Sequence, residues 1–323
     1  MANTSWRLWL ERMTAISAIA LLAACGSSSK YDEFIPSRIV SVGDQVSYLG
    51  SSTASPAYSD RFTVNNLAGE ATVNHWVLQL AASYGLSTNL AAADPAIVAT
   101  ADPVLNKVAN LAARLATVIP RSGDMLVVNG GMADLIALAD EVANGTKTTA
   151  QALTAIASAG TELQALLLAQ QSHYKNILVI NAYDLKNSPY ARTKTFAAGS
   201  TLTTATFQQL LYDMTRAFNT ALIRNAGTFN SGTGIRLFDA ETLFLNANLY
   251  NVGITAAGMS EGTCSSFSST DSATRTACTT TTATAISSSY DTRLFADDKF
   301  PSPAAHRFLG SQAYAYLRGV KGW

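Results

Sequence analysis

Along this chain, short uninterrupted apolar runs alternate with longer stretches in which apolar residues recur every three or four positions. The runs Arg38–Val42, Asp124–Asn129, Asn176–Ala182 and Gly234–Asp239, with a weaker one at Thr292–Ala296, have the length of strands. The stretches Val73–Tyr84, Pro103–Val118, Ala133–Val142, Thr148–His173, Thr204–Asn225 and Pro303–Val320 carry the helical period. Strands alternating with helices predict an α/β fold in which helices cover both faces of a parallel sheet. The segment Ile177-Leu178-Val179-Ile180 is apolar at every position, as a strand buried on both sides requires.

The first residues follow a different pattern. Arg7 and Arg12 precede an apolar run from Met13 to Ala24, and Leu22-Ala23-Ala24-Cys25 is followed by Gly26-Ser27-Ser28-Ser29. At about 12 apolar residues the run is too short to span a bilayer and reads as a secretory signal. The tetrapeptide ending in Cys25 resembles a bacterial lipobox. That resemblance implies a signal peptide over 1–24, diacylation (palmitate-type) at Cys25, and a polar tether over 25–36 leading to a single domain over 37–323. Glycine at position 26 further implies passage to the outer membrane of a Gram-negative envelope, with the acyl chains on Cys25 holding the protein at the membrane.

Composition narrows the classes. The chain has 323 residues, 48% hydrophobic and 14% charged, with zero formal net charge. That is enough apolar material for a sizeable core. No basic block and no interleaving of basic and aromatic residues occurs, so the electrostatic footprint of a nucleic-acid partner is missing. Once Cys25 is set aside, Cys264 and Cys278 remain, and a pair in an exported chain predicts a disulfide closing a Ser/Thr-rich loop. A loop of that length is worth roughly 3 kcal/mol by chain entropy. The Ser-, Thr- and Ala-dominated segment Ser265–Ser289 can build no core and is expected on the surface.

The candidate chemistry lies at the turns after the strand-like runs. Arg38–Val42 leads into Gly43-Asp44-Gln45-Val46-Ser47-Tyr48-Leu49-Gly50, the place where a parallel α/β sheet presents reactive groups. Leu126-Val127-Val128-Asn129 leads into Gly130-Gly131-Met132-Ala133-Asp134-Leu135, and near the C-terminus stands Asp297-Asp298-Lys299-Phe300-Pro301-Ser302-Pro303-Ala304-Ala305-His306. In this order the three blocks resemble the SGNH/GDSL serine esterase and lipase family. Arg61-Phe62-Thr63 followed by Asn74–Ala81 is similar to the surroundings of the family's second-block glycine, with Gly69 out of register. The resemblance implies a three-layer α/β/α, flavodoxin-like parallel sheet of about five strands. It also implies a cleft formed by Gly43, Asp44, Gln45, Gly130, Gly131 and Asp134.

The same resemblance locates what has changed. The family's nucleophilic Ser falls at Gln45, its oxyanion-binding Asn at Ala133 and its general-base His at Phe300, while Asp297, the residue that orients the base, is retained. A carboxamide is no nucleophile, a methyl group donates no hydrogen bond, and a phenyl ring takes no proton. Acyl transfer needs a hydroxyl activated by an adjacent base, and loss of one oxyanion donor alone costs on the order of 10²–10³ in rate.

The remaining residues offer two candidate substitutes, Ser47 and His306. Ser47 lies two positions beyond Gln45, about 200° around a helical turn, and is expected to cap or pack. His306 is the remaining candidate base but is expected to be structural, as are His75 and His173 within helical patterns. The carboxylates Asp44, Asp134, Asp297 and Asp298 could converge for glycosidase-like acid/base work, yet the resemblance assigns structural hydrogen bonds to the first two. No ligand spacing for a metal is present, and no cofactor is implied. The expectation is an envelope lipoprotein with an esterase-like fold that does not hydrolyse esters and acts by binding a lipid, an acylated glycan or an envelope protein. The alternative is an active ester hydrolase with a non-standard arrangement, Ser47 with His306.

Overall fold

The computed structural model describes residues 34–55, 57–65, 74–88, 96–97, 99–224, 229, 233–265, 267, 272–279, 290–319 and 323. Residues 1–24, Cys25 and Gly69 lie outside them, as does most of the Ser/Thr-rich segment after Cys264.

Five strands are hydrogen-bonded in parallel. They are β1 (Arg38–Gly43), β2 (Ala96–Ile97), β3 (Asp124–Asn129), β4 (Asn176–Ile180) and β5 (Ile235–Phe238), in the order β2-β1-β3-β4-β5. This is the flavodoxin-like order, with its topological switch between β1 and β3. Every residue of β1 and β3 is buried, as continuous apolar runs in a doubly covered sheet require. Register between these two strands is pinned at their N-terminal ends. Arg38 stands opposite Asp124 and grips it through Nε to Oδ1 (2.9 Å) and Nη2 to Oδ2 (2.5 Å).

The helices are α1 (Trp76–Ser83), α2 (Val108–Leu115), α3 (Met132–Ala143), α4 (Thr149–Gln170), α5 (Pro189–Thr193), α6 (Thr204–Leu222), α7 (Ala240–Leu245), α8 (Ser272–Thr276) and α9 (Pro303–Gly319). Right-handed crossovers dictate where they go. The step from β1 to β2 runs one way along the sheet and every later step runs the other, so α1 covers one face and α2, α3, α4 and α6 cover the opposite one. After β5 the chain returns to the first face, where α9 packs on α1. The backbone N–H of Trp76 donates to Nδ1 of His306 at 3.2 Å, and the rings of Tyr84 and Tyr314 meet edge to face at 4.9 Å. Helix α4 starts at a capping box formed by Thr148 and Gln151 and buries the stripe Ala152, Ile156, Ala159, Leu163 and Leu167. By length and composition it is, among the described residues, the one helix long and apolar enough to cross a membrane. Here it packs along α6.

Pro36–Leu317 is one compact unit. Among the residues outside it, the rings of Phe34 and Trp323 meet edge to face at 6.0 Å.

Three expectations need correction. The weak run Thr292–Ala296 is not a strand of the sheet. It makes a single antiparallel bridge, Phe295 to Pro301, because the chain turns back at once and the N–H of Ala296 donates to the carbonyl of Phe300 at 2.7 Å. The fifth strand is instead β2, two residues long. His173 lies beyond the end of α4, exposed, in the turn that leads to β4.

Candidate functional site

Three positions singled out in the sequence meet. Gln45, Ala133 and Phe300, which are 88 and 167 residues apart along the chain, line one cavity of about 230 Å³ with Phe62, Pro103, Ile136, Ala137, Asp140, Phe267 and Lys299. It sits beyond the C-terminal ends of β1 and β3, at the switch point where open parallel sheets bind ligands.

Local geometry explains the meeting. Gly43 ends β1 at φ +150°, and a Cβ there would lie 1.7 Å from the carbonyl oxygen of Asn129, so only glycine lets the turn pass β3 this closely. Asp44 follows, 1% exposed, and its two carboxylate oxygens accept from the N–H groups of Met132 and Ala133, each at 3.0 Å. It thus caps α3 from the neighbouring strand and ties the 3-10 turn Gln45–Ser47 to Ala133. Burial pushes its carboxyl up to about 8 against these two donors, which pull it down. Gly131, at φ +104°, opens α3, where a Cβ would lie 2.3 Å from the ring of Phe218. Gly130 sits below, against Leu111 and Leu163. From Ala133 the helical repeat brings Ile136, Ala137 and Asp140 to the same wall.

Asp297 organises the opposite wall. Its Oδ1 accepts from the N–H of Lys299 (2.9 Å) and of Phe300 (2.6 Å), and its Oδ2 from the N–H of Phe267 (3.2 Å). Burial, then the neighbouring Asp298, pushes its carboxyl up to about 7. The rings it positions, Phe300 and Phe267, lie near parallel (15°) with centroids 6.5 Å apart, and Phe62 packs on Phe300 at 4.7 Å. Phe62 is backed by Arg275, whose guanidinium lies 4.8 Å from its ring centroid and pairs with buried Asp60 at 3.2 Å. The disulfide Cys264–Cys278 encloses both Phe267 and Arg275.

The proposed substitutes lie elsewhere. Ser47 is fully buried, and its hydroxyl bonds the side-chain oxygen of Asn129, at the end of β3. His306 is 1% exposed, its Nδ1 occupied by the N–H of Trp76, its ring stacked on that of His75 at 4.9 Å. Burial, then the nearby Arg61 guanidinium, pushes His306 down to about 3; burial, then the neighbouring His306 and then Arg61, pushes His75 well below the ordinary range. His75 also caps α1, its Nδ1 accepting from the N–H of Val77 at 3.3 Å. Neither histidine nor Ser47 lines the cavity.

The four carboxylates do not converge on the cavity either. Asp134, expected at the cleft, is turned away and caps α2, accepting from the N–H of Val108 at 2.9 Å. Ala133 and Asp134 differ by about 100° around the helix, so when one faces the cavity the other cannot. Asp298 pairs with the Lys299 ammonium at 2.5 Å. No group of three or more His, Cys, Asp or Glu that could hold a metal ion occurs among the described residues.

Sequence reasoning missed Phe62, Pro103, Ile136, Ala137, Asp140, Phe267 and Lys299 as wall residues. Ile136, Ala137 and Asp140 carried a usable signal, their 3, 4 and 7 spacing from Ala133. Phe267 carried none, since it lies in the Ser/Thr-rich segment.

No protein-family model matches the chain, and no curated protein does. A solved structure of an extracellular lipase from Streptomyces rimosus is similar to it, covering 87% of this chain and 98% of its own, at 12% identity and a TM-score of 0.43.

Proposed function

We propose that this chain is a non-hydrolytic relative of the SGNH/GDSL esterases that acts by binding, taking a small apolar group into the cavity above Gln45. One observation carries the reading. Among the ten described residues that line the cavity, none has a hydroxyl, a thiol or an imidazole. A nucleophile and base must lie within hydrogen-bond reach of each other and of the scissile carbonyl. Ser47 and His306, the proposed substitutes, are instead sealed in separate hydrogen bonds outside it.

Size and lining favour the lipid or acyl class of ligand. The cavity exceeds the ~150 Å³ that holds a benzene ring and falls short of the ~300 Å³ at which drug-sized sites begin. A short acyl chain or one ring fits; a whole glycan does not, so an acylated glycan would insert its acyl group alone. The lipobox-like Cys25 would place this activity at the outer membrane, tethered by its acyl chains.

The test is hydrolysis and binding measured on the same full-length protein. p-Nitrophenyl acetate and butyrate should be turned over no faster than by the Ser47→Ala variant, while butyrate-derived esters protect against thermal unfolding. Turnover clearly above that variant's would sink the binding reading.

A further inference from the structure

The cavity wall carries two charged side chains, and the backbone puts them there. Asp140 lies two helical turns after Ala133 on α3, so both reach the cavity. Lys299 is fixed beside Phe300 because Oδ1 of Asp297 takes the N–H of each. Asp140 and Lys299 stand around one ring, that of Tyr190. Its hydroxyl donates to Oδ1 of Asp140 at 2.5 Å, and the Lys299 ammonium lies 5.3 Å from its centroid.

Each charge is paired, and each pairing leaves hydrogen-bonding capacity over. Lys194 also donates to Oδ1 of Asp140, while Oδ2 accepts no hydrogen bond among the described residues, and the side chain is 41% exposed. Lys299, 16% exposed, gives one of its three ammonium donors to Asp298 at 2.5 Å. Burial works against its charge, but Asp297, Asp298 and Asp140 together outweigh burial and raise its pKa above the ordinary lysine value, so the group stays a donor.

Lys194 and Lys299 balance Asp140 and Asp298 one for one. A ligand with a net charge would bring an unbalanced charge to a half-buried wall, at a cost in desolvation. A neutral ligand forgoes charge-assisted hydrogen bonds, which are roughly twice as strong as neutral ones. A zwitterion meets both conditions, with an ammonium for Oδ2 of Asp140 and a carboxylate for Lys299. Its body then lies on Phe62, Phe267 and Phe300, in the space of about 230 Å³. We propose that the cavity binds a free α-amino acid with a large apolar side chain, its ammonium at Asp140 and its carboxylate at Lys299. This rests on the cavity being a binding site, with that side chain as the small apolar group it takes.

Four molecules with one phenyl group each separate the parts. Phenylalanine carries both charges, 2-phenylethylamine only the ammonium, 3-phenylpropanoate only the carboxylate, and 3-phenylpropanamide neither. Titrated calorimetrically against the full-length protein, phenylalanine should bind more tightly than each of the other three, by about tenfold. In Asp140→Asn its advantage over 3-phenylpropanoate should vanish. Phenylalanine binding no more tightly than one of the others in the wild type, or keeping its advantage over 3-phenylpropanoate in Asp140→Asn, would overturn the amino-acid inference alone. If none of the four binds, this inference falls, and if butyrate esters also fail to protect against thermal unfolding, the binding reading falls with it. If Asp140→Asn does not fold, the four wild-type affinities still decide the inference.

Discussion

Replacing His306 by Asn should change how stability depends on acid, and the size of the change follows from where the ring sits. An unfolded histidine titrates near 6.5; folded His306, buried and facing Arg61 and Arg307, is pushed down to about 3. Below pH 6.5 the unfolded chain takes up a proton that the folded chain refuses, so the stability due to neutral His306 is whole above 6.5. It is lost as pH falls toward 3. At about 1.4 kcal/mol per unit, the loss from this one group between pH 7 and pH 4.5 is about 2.5 kcal/mol. Other groups act at the same time. His75 works in the same direction, whereas Asp44 and Asp297, pushed up to about 8 and about 7, gain protons on folding and favour the folded state as pH falls. The raw pH profile is thus a sum of opposing parts, and the difference between wild type and His306→Asn isolates one of them. Asn keeps an acceptor near the N–H of Trp76. Urea unfolding at several pH values should find the stability gap between wild type and variant shifting by about 2.5 kcal/mol in the variant's favour from pH 7 to 4.5. A gap that does not move with pH would mean that His306 titrates as in water. It would then be accessible, and its exclusion as a general base would fall with the argument.

Gln45→Ser, Ala133→Asn and Phe300→His together should raise p-nitrophenyl butyrate hydrolysis by about 10²-fold or more, with each single change near wild type, since a triad acts as a unit; a folded triple variant without any gain would refute the placement of these positions. Cys264→Ala with Cys278→Ala should lower stability by roughly 3 kcal/mol in chemical unfolding. Because the disulfide loop holds Phe267 and Arg275, butyrate esters should also protect the same variant less against thermal unfolding; unchanged protection would mean that the loop does not set the wall. Gly131→Ala, which forces a Cβ into the ring of Phe218 at positive φ, should cost about 2–4 kcal/mol, read as a fall in the urea midpoint.

What could be read from the chain was whatever the backbone dictates locally. The run Asp124–Asn129 is β3 to the residue, and Arg38–Val42 is β1 less its last glycine, because a doubly buried strand must be apolar throughout. Positions 45, 133 and 300 came together because each follows a turn whose geometry is set by its own neighbours: Gly43, Gly131 and the N–H-gathering Asp297. What could not be read depends on contacts distant in sequence. Phe267 reaches the cavity through a disulfide and a hydrogen bond to Asp297, 30 residues on, and Phe62 is placed by Arg275, whose partner Asp60 lies 215 residues away. β2 is too short for any periodicity, and Leu294-Phe295-Ala296 is apolar because it is buried. Burial without a ladder looks the same in sequence as a strand.

The acids of the motif blocks make the same distinction in chemical terms. A carboxylate that works as an acid or base must have an oxygen free to meet substrate. Here Asp44 spends both oxygens on the N-terminus of α3, Asp134 caps α2, and Asp297 gathers three backbone N–H groups. Each such N–H, left buried and unpaired, would cost about 1–3 kcal/mol, so these acids are held in place by the turns they build. Asp297 at the same time fixes the backbone of Phe300, so the turn geometry at this wall of the cavity is set by the acid itself. A chain built this way keeps a shaped cavity at the sheet's switch point, walled by Gln45, Ala133 and Phe300, and the proposed binding function rests on that cavity.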